Sequence, residues 1–321
     1  MLYSILKIPA TLAFWIYCRN ILINKPELLQ NTGPLLIACN HPNSFLDAII
    51  IATLFKQPIY SLTRGDAFNK KGYRKILSLL KMLPVYRISE GTENLEHNYQ
   101  TFKNCKEIFK QNGIVLIFSE GRCVNEWHLR SLKKGTARLA VSSWKDNIPL
   151  KILPAGINYS SFRLFGKNIQ LNFGEIITAE NIQFNDNDTE GKSINSFNQK
   201  LQNALQDLTI EINPTDKEVI IEKFAVKISL LKKIILFLPA IVGWLIHFPL
   251  YYPIKKISLW KAAQYDHFDS VTTGLLFILY PFYLLLISLL VYWLIGEWWW
   301  LLSFIIFPFC AWSYVQMKRQ F

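Results

Sequence analysis

The chain is short of charge. Of its 321 residues only 18% are Asp, Glu, Lys or Arg, whereas 51% are hydrophobic, with 10 Trp and 22 Phe. That balance excludes an ordinary soluble enzyme. Acids are the scarcer sign, 23 against 35 basic residues, which leaves a formal net charge of +12. Cysteine is sparse as well. Cys18, Cys39, Cys105, Cys123 and Cys310 are scattered, with no pair at metal-ligand spacing, so they read as reduced thiols facing a reducing compartment. No Gly-x-Ser-x-Gly elbow occurs, which leaves a hydrolase-type acyl-serine without support. Internal repeats and the standard nucleic-acid-binding motifs are also missing, so nucleic acid is not expected as a partner.

Hydrophobicity is concentrated at the two ends. Met1 to Cys18 is apolar with one lysine, Lys7, and no small-residue cleavage site follows. It reads as an uncleaved helix in the membrane interface rather than a signal peptide. Ile234 to Ile254 lacks charge but is bracketed by Lys233 and Lys255-Lys256, which suggests that both of its ends stay cytoplasmic, the segment being re-entrant or lying along the surface. Val271 to Gly296 and Trp298 to Met317 are each near the ~20 apolar residues a span requires, and read as a helical hairpin turned at Gly296-Glu297. The basic excess is uneven. Lys56, Arg64, Lys70, Lys71, Arg74, Lys75, Lys81 and Arg87 face a single acid, Asp66, a pattern suited to an anionic membrane surface or to substrate phosphates.

Between these ends, short apolar runs alternate with helical periodicity. Leu35 to Cys39, Ile59 to Thr63, Pro84 to Ile88, Ile114 to Phe118, Leu150 to Ile157 and Ile169 to Phe173 read as strands. Asp66 to Met82, Leu95 to Phe109, Leu132 to Trp144 and Ser196 to Asn213 read as helices, and Asn185 to Asn195 as a polar loop. The expected fold is α/β, a mixed sheet flanked by helices, with an amino-terminal apolar helix and carboxyl-terminal transmembrane helices. The expected organisation is a membrane-associated helix over 1–30, a catalytic domain over 31–215 and a membrane region over 216–321.

Two short segments carry the chemistry. Asn40-His41-Pro42-Asn43-Ser44-Phe45-Leu46-Asp47 follows the first strand, and Phe118-Ser119-Glu120-Gly121-Arg122 closes a later one. A histidine oriented by a carboxylate is a general base near neutral pH. Six residues of ideal helix rotate by about 600°, which would put His41 and Asp47 on different faces. Pro42 keeps the preceding residue out of the α region, so His41 stays on a turn while a helix opens at Pro42 and brings Asp47 back to the ring.

Four blocks then stand in order: Asn40 to Asp47; Leu83-Pro84-Val85-Tyr86-Arg87; Glu120-Gly121-Arg122; and Ile152-Leu153-Pro154-Ala155-Gly156-Ile157. In this order they resemble the glycerolipid acyltransferase family, which includes the 1-acylglycerol-3-phosphate and glycerol-3-phosphate acyltransferases. The resemblance covers roughly residues 30 to 180. One departure stands out: five residues separate His41 from Asp47, where the family pattern has four. The resemblance implies acyl transfer from acyl-CoA or acyl carrier protein (acyl-ACP) to the hydroxyl of a lysophospholipid or of glycerol 3-phosphate. His41 and Asp47 would be catalytic, and Arg87, Glu120, Gly121 and Arg122 would bind the acceptor. No metal or cofactor is expected beyond the acyl donor, and membrane lipids are the expected surroundings, with the catalytic domain on the cytoplasmic face. No candidate catalytic residue falls beyond Pro154. A lipid-binding protein without catalysis and a transporter built on the terminal spans remain as other readings; the intact His41, Asp47, Glu120 and Arg122 count against the first, and the lack of intramembrane charge against the second.

Overall fold

The uncharged run from Leu35 to Cys39 is the middle of the molecule. In this computed structural model, which describes residues 2–86, 94–182, 189–262 and 266–321, the five residues form a strand with every side chain fully buried. Leu35, Ile37 and Cys39 face one apolar cluster and Leu36 and Ala38 the other. That period-two division is what a strand covered on both faces requires.

Among the described residues seven strands form one sheet: β1 (Asn20–Ile23), β2 (Leu35–Cys39), β3 (Ile59–Arg64), β4 (Met82–Val85), β5 (Ile114–Phe118), β6 (Lys151–Tyr159) and β7 (Asn168–Phe173). Their order is β1-β7-β6-β2-β5-β3-β4. All neighbours are parallel except β6 and β7, so the sheet is mixed, as expected. One face is covered by α1 (Leu2–Tyr17) and α2 (Phe45–Leu54), the other by α4 (Asn94–Lys110), α5 (Gly135–Lys145) and α6 (Glu190–Leu208). Between β3 and β4 lies α3 (Lys71–Leu79), none of whose side chains is buried; Tyr73, Ile76 and Leu79 line one exposed stripe.

Several boundaries differ from the sequence reading. The sheet begins at Asn20, so the proposed division at residue 30 cuts off a strand that pairs with β7. A four-residue edge strand is too short to show alternation. The helix expected over Asp66 to Met82 is a 3-10 turn, Gly65–Phe68, followed by α3. Lys81, at φ 60°, then turns the chain into β4, two residues earlier than expected. Helix α6 starts at Glu190 and ends at Leu208; Glu190 to Asn195, read as loop, form its first turns, where Ser193 and Ile194 are buried.

After α7 (Lys217–Phe224) come α8 (Leu230–Ala262), α9 (Phe268–Ile295) and α10 (Ser303–Met317). Among the described residues three helical segments, Leu230–Ala262, Phe268–Ile295 and Trp298–Met317, are long and apolar enough to cross a membrane. The segment read as re-entrant or lying along the surface belongs to one continuous helix of 33 residues, despite Pro239, Pro249 and Pro253, which removes the re-entrant form. The hairpin turn falls at Gly296, with φ 72°, and leads into a 3-10 turn at Trp298–Leu302.

These helices pack on each other and on the domain. Gly243 of α8 lets Cys310 of α10 approach so closely that a Cβ there would sit 2.0 Å from its carbonyl oxygen. Trp15 of α1 stacks on Trp312 of α10 at 5.1 Å, and Gln316 donates to the Arg19 carbonyl at 3.0 Å. The membrane region is thus joined to the sheet domain rather than tethered beside it.

Candidate active site

The sheet register brings the two motif segments together. Cys39 at the end of β2 is paired with Phe118 at the end of β5, and the Ser119 N–H donates to the Cys39 carbonyl at 2.9 Å. His41 and Glu120, each two residues past its strand, are therefore neighbours at the carboxyl ends of parallel strands, the usual place for a site in such sheets. On the other side of β2 the Asn40 side chain accepts from Ile157 N–H at 2.8 Å and donates to its carbonyl at 3.1 Å, fastening the end of β2 to β6.

His41 Nδ1 lies 2.9 Å from Asp47 Oδ2. Helix α2 begins at Phe45 rather than at Pro42, so Pro42, Asn43 and Ser44 form a turn that absorbs the five-residue gap. Its cost is visible at Ser44, which has φ 54°, a region non-glycine residues seldom occupy. Asp47 is fully buried and accepts two further bonds, from Asn43 N–H at 2.8 Å to the same oxygen and from the Tyr159 hydroxyl at 2.6 Å to the other. Burial and the adjacent Asp47 hold Tyr159 well above the ordinary phenol range, so it remains a donor. With Nδ1–H given to Asp47, the imidazole presents Nε2 as a lone pair, and among the described residues that nitrogen has no hydrogen-bond partner. The ring stacks on Phe118 at 3.9 Å and its side chain retains 18% exposure, enough for a reactant to reach one edge.

Glu120 is placed differently from its expected role at the acceptor or beside Arg122. It is 5% exposed, and its two oxygens accept from the His41 N–H at 2.6 Å and the Arg130 N–H at 2.8 Å. Burial raises its pKa, opposed by those two N–H groups. Glu120 thus fixes the backbone of the histidine turn. Gly121 takes φ 67°, which only glycine adopts freely, and a Cβ there would approach Lys133 Cγ to 3.0 Å. The turn it makes leaves Arg122 exposed and, among the described residues, without a hydrogen-bond or ionic partner, on the same rim as the exposed Lys133 and Lys134. Arg87 lies outside the described residues. Pro154 is buried within β6, where its carbonyl accepts Gly174 N–H at 3.0 Å, a structural place.

Neither serine of the motifs is set up as a nucleophile. Ser119 is 2% exposed with its Oγ 3.0 Å from Thr136 Oγ1, and Ser44 has no base against its hydroxyl among the described residues. Neither nearby thiol is activated as a nucleophile: burial, with Asp47 and Glu120 nearby, pushes Cys39 and Cys123 upward. No group of three or more metal-ligating side chains occurs among the described residues.

Sequence reasoning missed a second carboxylate. Asp269, in the first turn of α9, is fully buried; it accepts from Asn43 Nδ2 at 2.7 Å and from the Tyr17 hydroxyl at 2.8 Å, and forms an ion pair with the equally buried Lys167. The only sequence signal was an acid placed immediately before an uncharged run, with its partners more than 100 residues away.

Residues 20–158 match the protein-family model described as Acyltransferase. No curated protein matches the chain. Among solved structures, the crystal structure of the 1-acyl-sn-glycerophosphate (LPA) acyltransferase PlsC from Thermotoga maritima is similar over 70% of this chain and 82% of that one, at 13% identity and a TM-score of 0.42. The matched segment runs from β1 to the last turn of β6 and holds both motif turns. Over residues 20–158 the chain is thus similar to the Acyltransferase family, and that segment contains the His41 and Glu120 turns.

Proposed function

We propose that the protein is a membrane-bound O-acyltransferase that moves a fatty acyl group from acyl-CoA or acyl-ACP to 1-acylglycerol 3-phosphate, giving phosphatidate. The observation that carries this reading is the His41–Asp47 pair at 2.9 Å with Nε2 left free at the strand ends. The acceptor hydroxyl gives its proton to Nε2 as its oxygen attacks the thioester carbonyl. The new C–O bond forms, the C–S bond breaks, and the imidazolium returns the proton to the leaving sulfur. Asp47 holds the imidazole in the tautomer this requires and stabilises the cation.

Arg122, exposed and without a partner among the described residues, suits the acceptor phosphate, since a guanidinium engages two oxygens at once. Lys133 and Lys134 extend the same positive rim. A lipid acceptor is favoured by the apolar stripe of α3, exposed at 58%, 50% and 49% on Tyr73, Ile76 and Leu79 beside Lys70, Lys71, Arg74 and Lys75. Such a basic amphipathic helix lies naturally at an anionic membrane surface. The basic flanks of the terminal helices favour the cytoplasmic face for this domain.

The test is transfer of a labelled acyl chain by purified protein in lipid vesicles, from acyl-CoA and acyl-ACP, to a panel of acceptors. Labelled phosphatidate from 1-acylglycerol 3-phosphate is the expected product. Preferential acylation of glycerol 3-phosphate or of a phosphate-free lysolipid would replace the acceptor assignment, and no transfer to any acceptor would overturn the enzyme reading.

A further inference from the structure

The ion pair between Lys167 and Asp269 is not needed to anchor α9. Removing two charges from water is costly, and packed apolar side chains would hold the helix at least as well. What the pair does secure is a fixed acceptor beside the histidine turn. Asn43 is fully buried and joins both carboxylates: its N–H donates to Asp47 Oδ2 and its Nδ2 to Asp269 Oδ2. Asp269 also fixes which way the Asn43 amide points, because only the NH2 end can donate to it.

The turn has little else of its own. Pro42, Asn43 and Ser44 belong to neither β2 nor α2, and Ser44 sits at φ 54°. Backbone in such a region persists only where the surroundings enforce it. Beyond the bonds to Asp47 and the first N–H groups of α2, Pro42, Asn43 and Ser44 are held from outside by Asn43 to Asp269, Asn125 Nδ2 to the Pro42 carbonyl at 2.7 Å, and Ser44 N–H to Cys123 Sγ at 2.9 Å. Tyr17 of α1 holds the other oxygen of Asp269.

We propose that Asp269, carried on membrane helix α9, is a positioning residue that holds Asn43 and through it the Asp47–His41 geometry, so that the dyad is assembled only with α9 docked. In its kinetic consequence this rests on the acyltransferase reading; as a statement about the turn it stands by itself. It also adds to the site a positioning residue that lies beyond Pro154.

The experiment uses the full chain in lipid vesicles with two variants. Asn43→Ala breaks the link but leaves the ion pair. The double change Lys167→Met with Asp269→Leu replaces the pair by apolar side chains, a substitution folded proteins tolerate well. Each is expected to lower kcat by about 10- to 100-fold, the scale of a small misplacement of a reacting group, with the acceptor KM within about twofold of normal. The triple variant should be no worse than the worse of the two, because both remove one link. A second readout needs no turnover: maleimide labelling of Cys123, the one cysteine of the five that is not buried. Its labelling should accelerate in both variants while Cys18, Cys39, Cys105 and Cys310 stay silent, which also reports an intact fold. Normal kcat in both variants, or effects that multiply in the triple, would overturn the proposal. If the unaltered protein transfers no acyl group, the enzyme reading fails, and Cys123 labelling then decides alone: unchanged rates would overturn the positioning role.

Discussion

The two turns of the site are built in opposite ways. The histidine turn is held from every side: Glu120 grips the His41 N–H, Asp47 the ring, Asn43 bridges to Asp269, and Phe118 lies flat against the imidazole. The turn after β5 leaves Arg122 in solvent with no partner among the described residues. A group that must meet a proton in one geometry gains from being fixed before the substrate arrives, because the ordering is already complete. A group that grips a charged, mobile head group gains from staying free of internal partners. The division predicts that changes in the first turn act on kcat and changes in the second on KM.

The strongest way to break this comparison is His41→Ala. Turnover should fall by about 10³-fold or more, in the upper range for loss of a general base, with thermal unfolding in lipid vesicles unchanged; near-normal turnover would remove His41 from the chemistry. Asp47→Asn comes next, with kcat down by about 10²- to 10³-fold and an unaltered acceptor KM, since the amide neither fixes the tautomer nor stabilises the imidazolium. Arg122→Ala should raise KM for a phosphorylated acceptor by about tenfold or more, as expected when a charge-assisted contact is removed, and leave kcat within a few-fold. Tyr159→Phe sharpens the contrast from the other side. It deletes one of three bonds to Asp47 and should lower kcat by roughly fivefold, on the scale of one hydrogen bond of about 1 kcal/mol, without touching KM. Smallest of all, Ile76→Ser on α3 should reduce activity about twofold in anionic vesicles through lost apolar contact with the bilayer surface, and leave activity in detergent unchanged.

What could be read from the sequence follows from how local each signal is. Strands β2 and β5 were legible to the residue, because each is an unbroken apolar run closed by polar residues. The pairing of His41 with Asp47 was legible, since Pro42 marks the turn that brings them to 2.9 Å. The contacts of Glu120 were not legible, because its partners are backbone N–H groups that no side-chain pattern reveals. Strand β1 was lost in the stretch after an apolar helix, where Asn20 to Ile23 offers four residues and no alternation. Asp269 was the hardest, since it reaches Tyr17 across 252 positions and Asn43 across 226, and nothing in a local window marks such a pairing. The continuity of α8 was obscured by its three prolines, which an apolar helix packed on neighbours tolerates.

The most direct test of the central claim compares His41→Ala and Arg122→Ala on two acceptors, 1-acylglycerol 3-phosphate and its phosphate-free monoacylglycerol counterpart, by initial rates in the same vesicles. The account predicts that His41→Ala loses the same factor with both, since the hydroxyl is activated in either case, whereas Arg122→Ala loses only with the phosphorylated one. An equal loss from Arg122→Ala on both acceptors, or a loss from His41→Ala confined to the phosphorylated one, would contradict it.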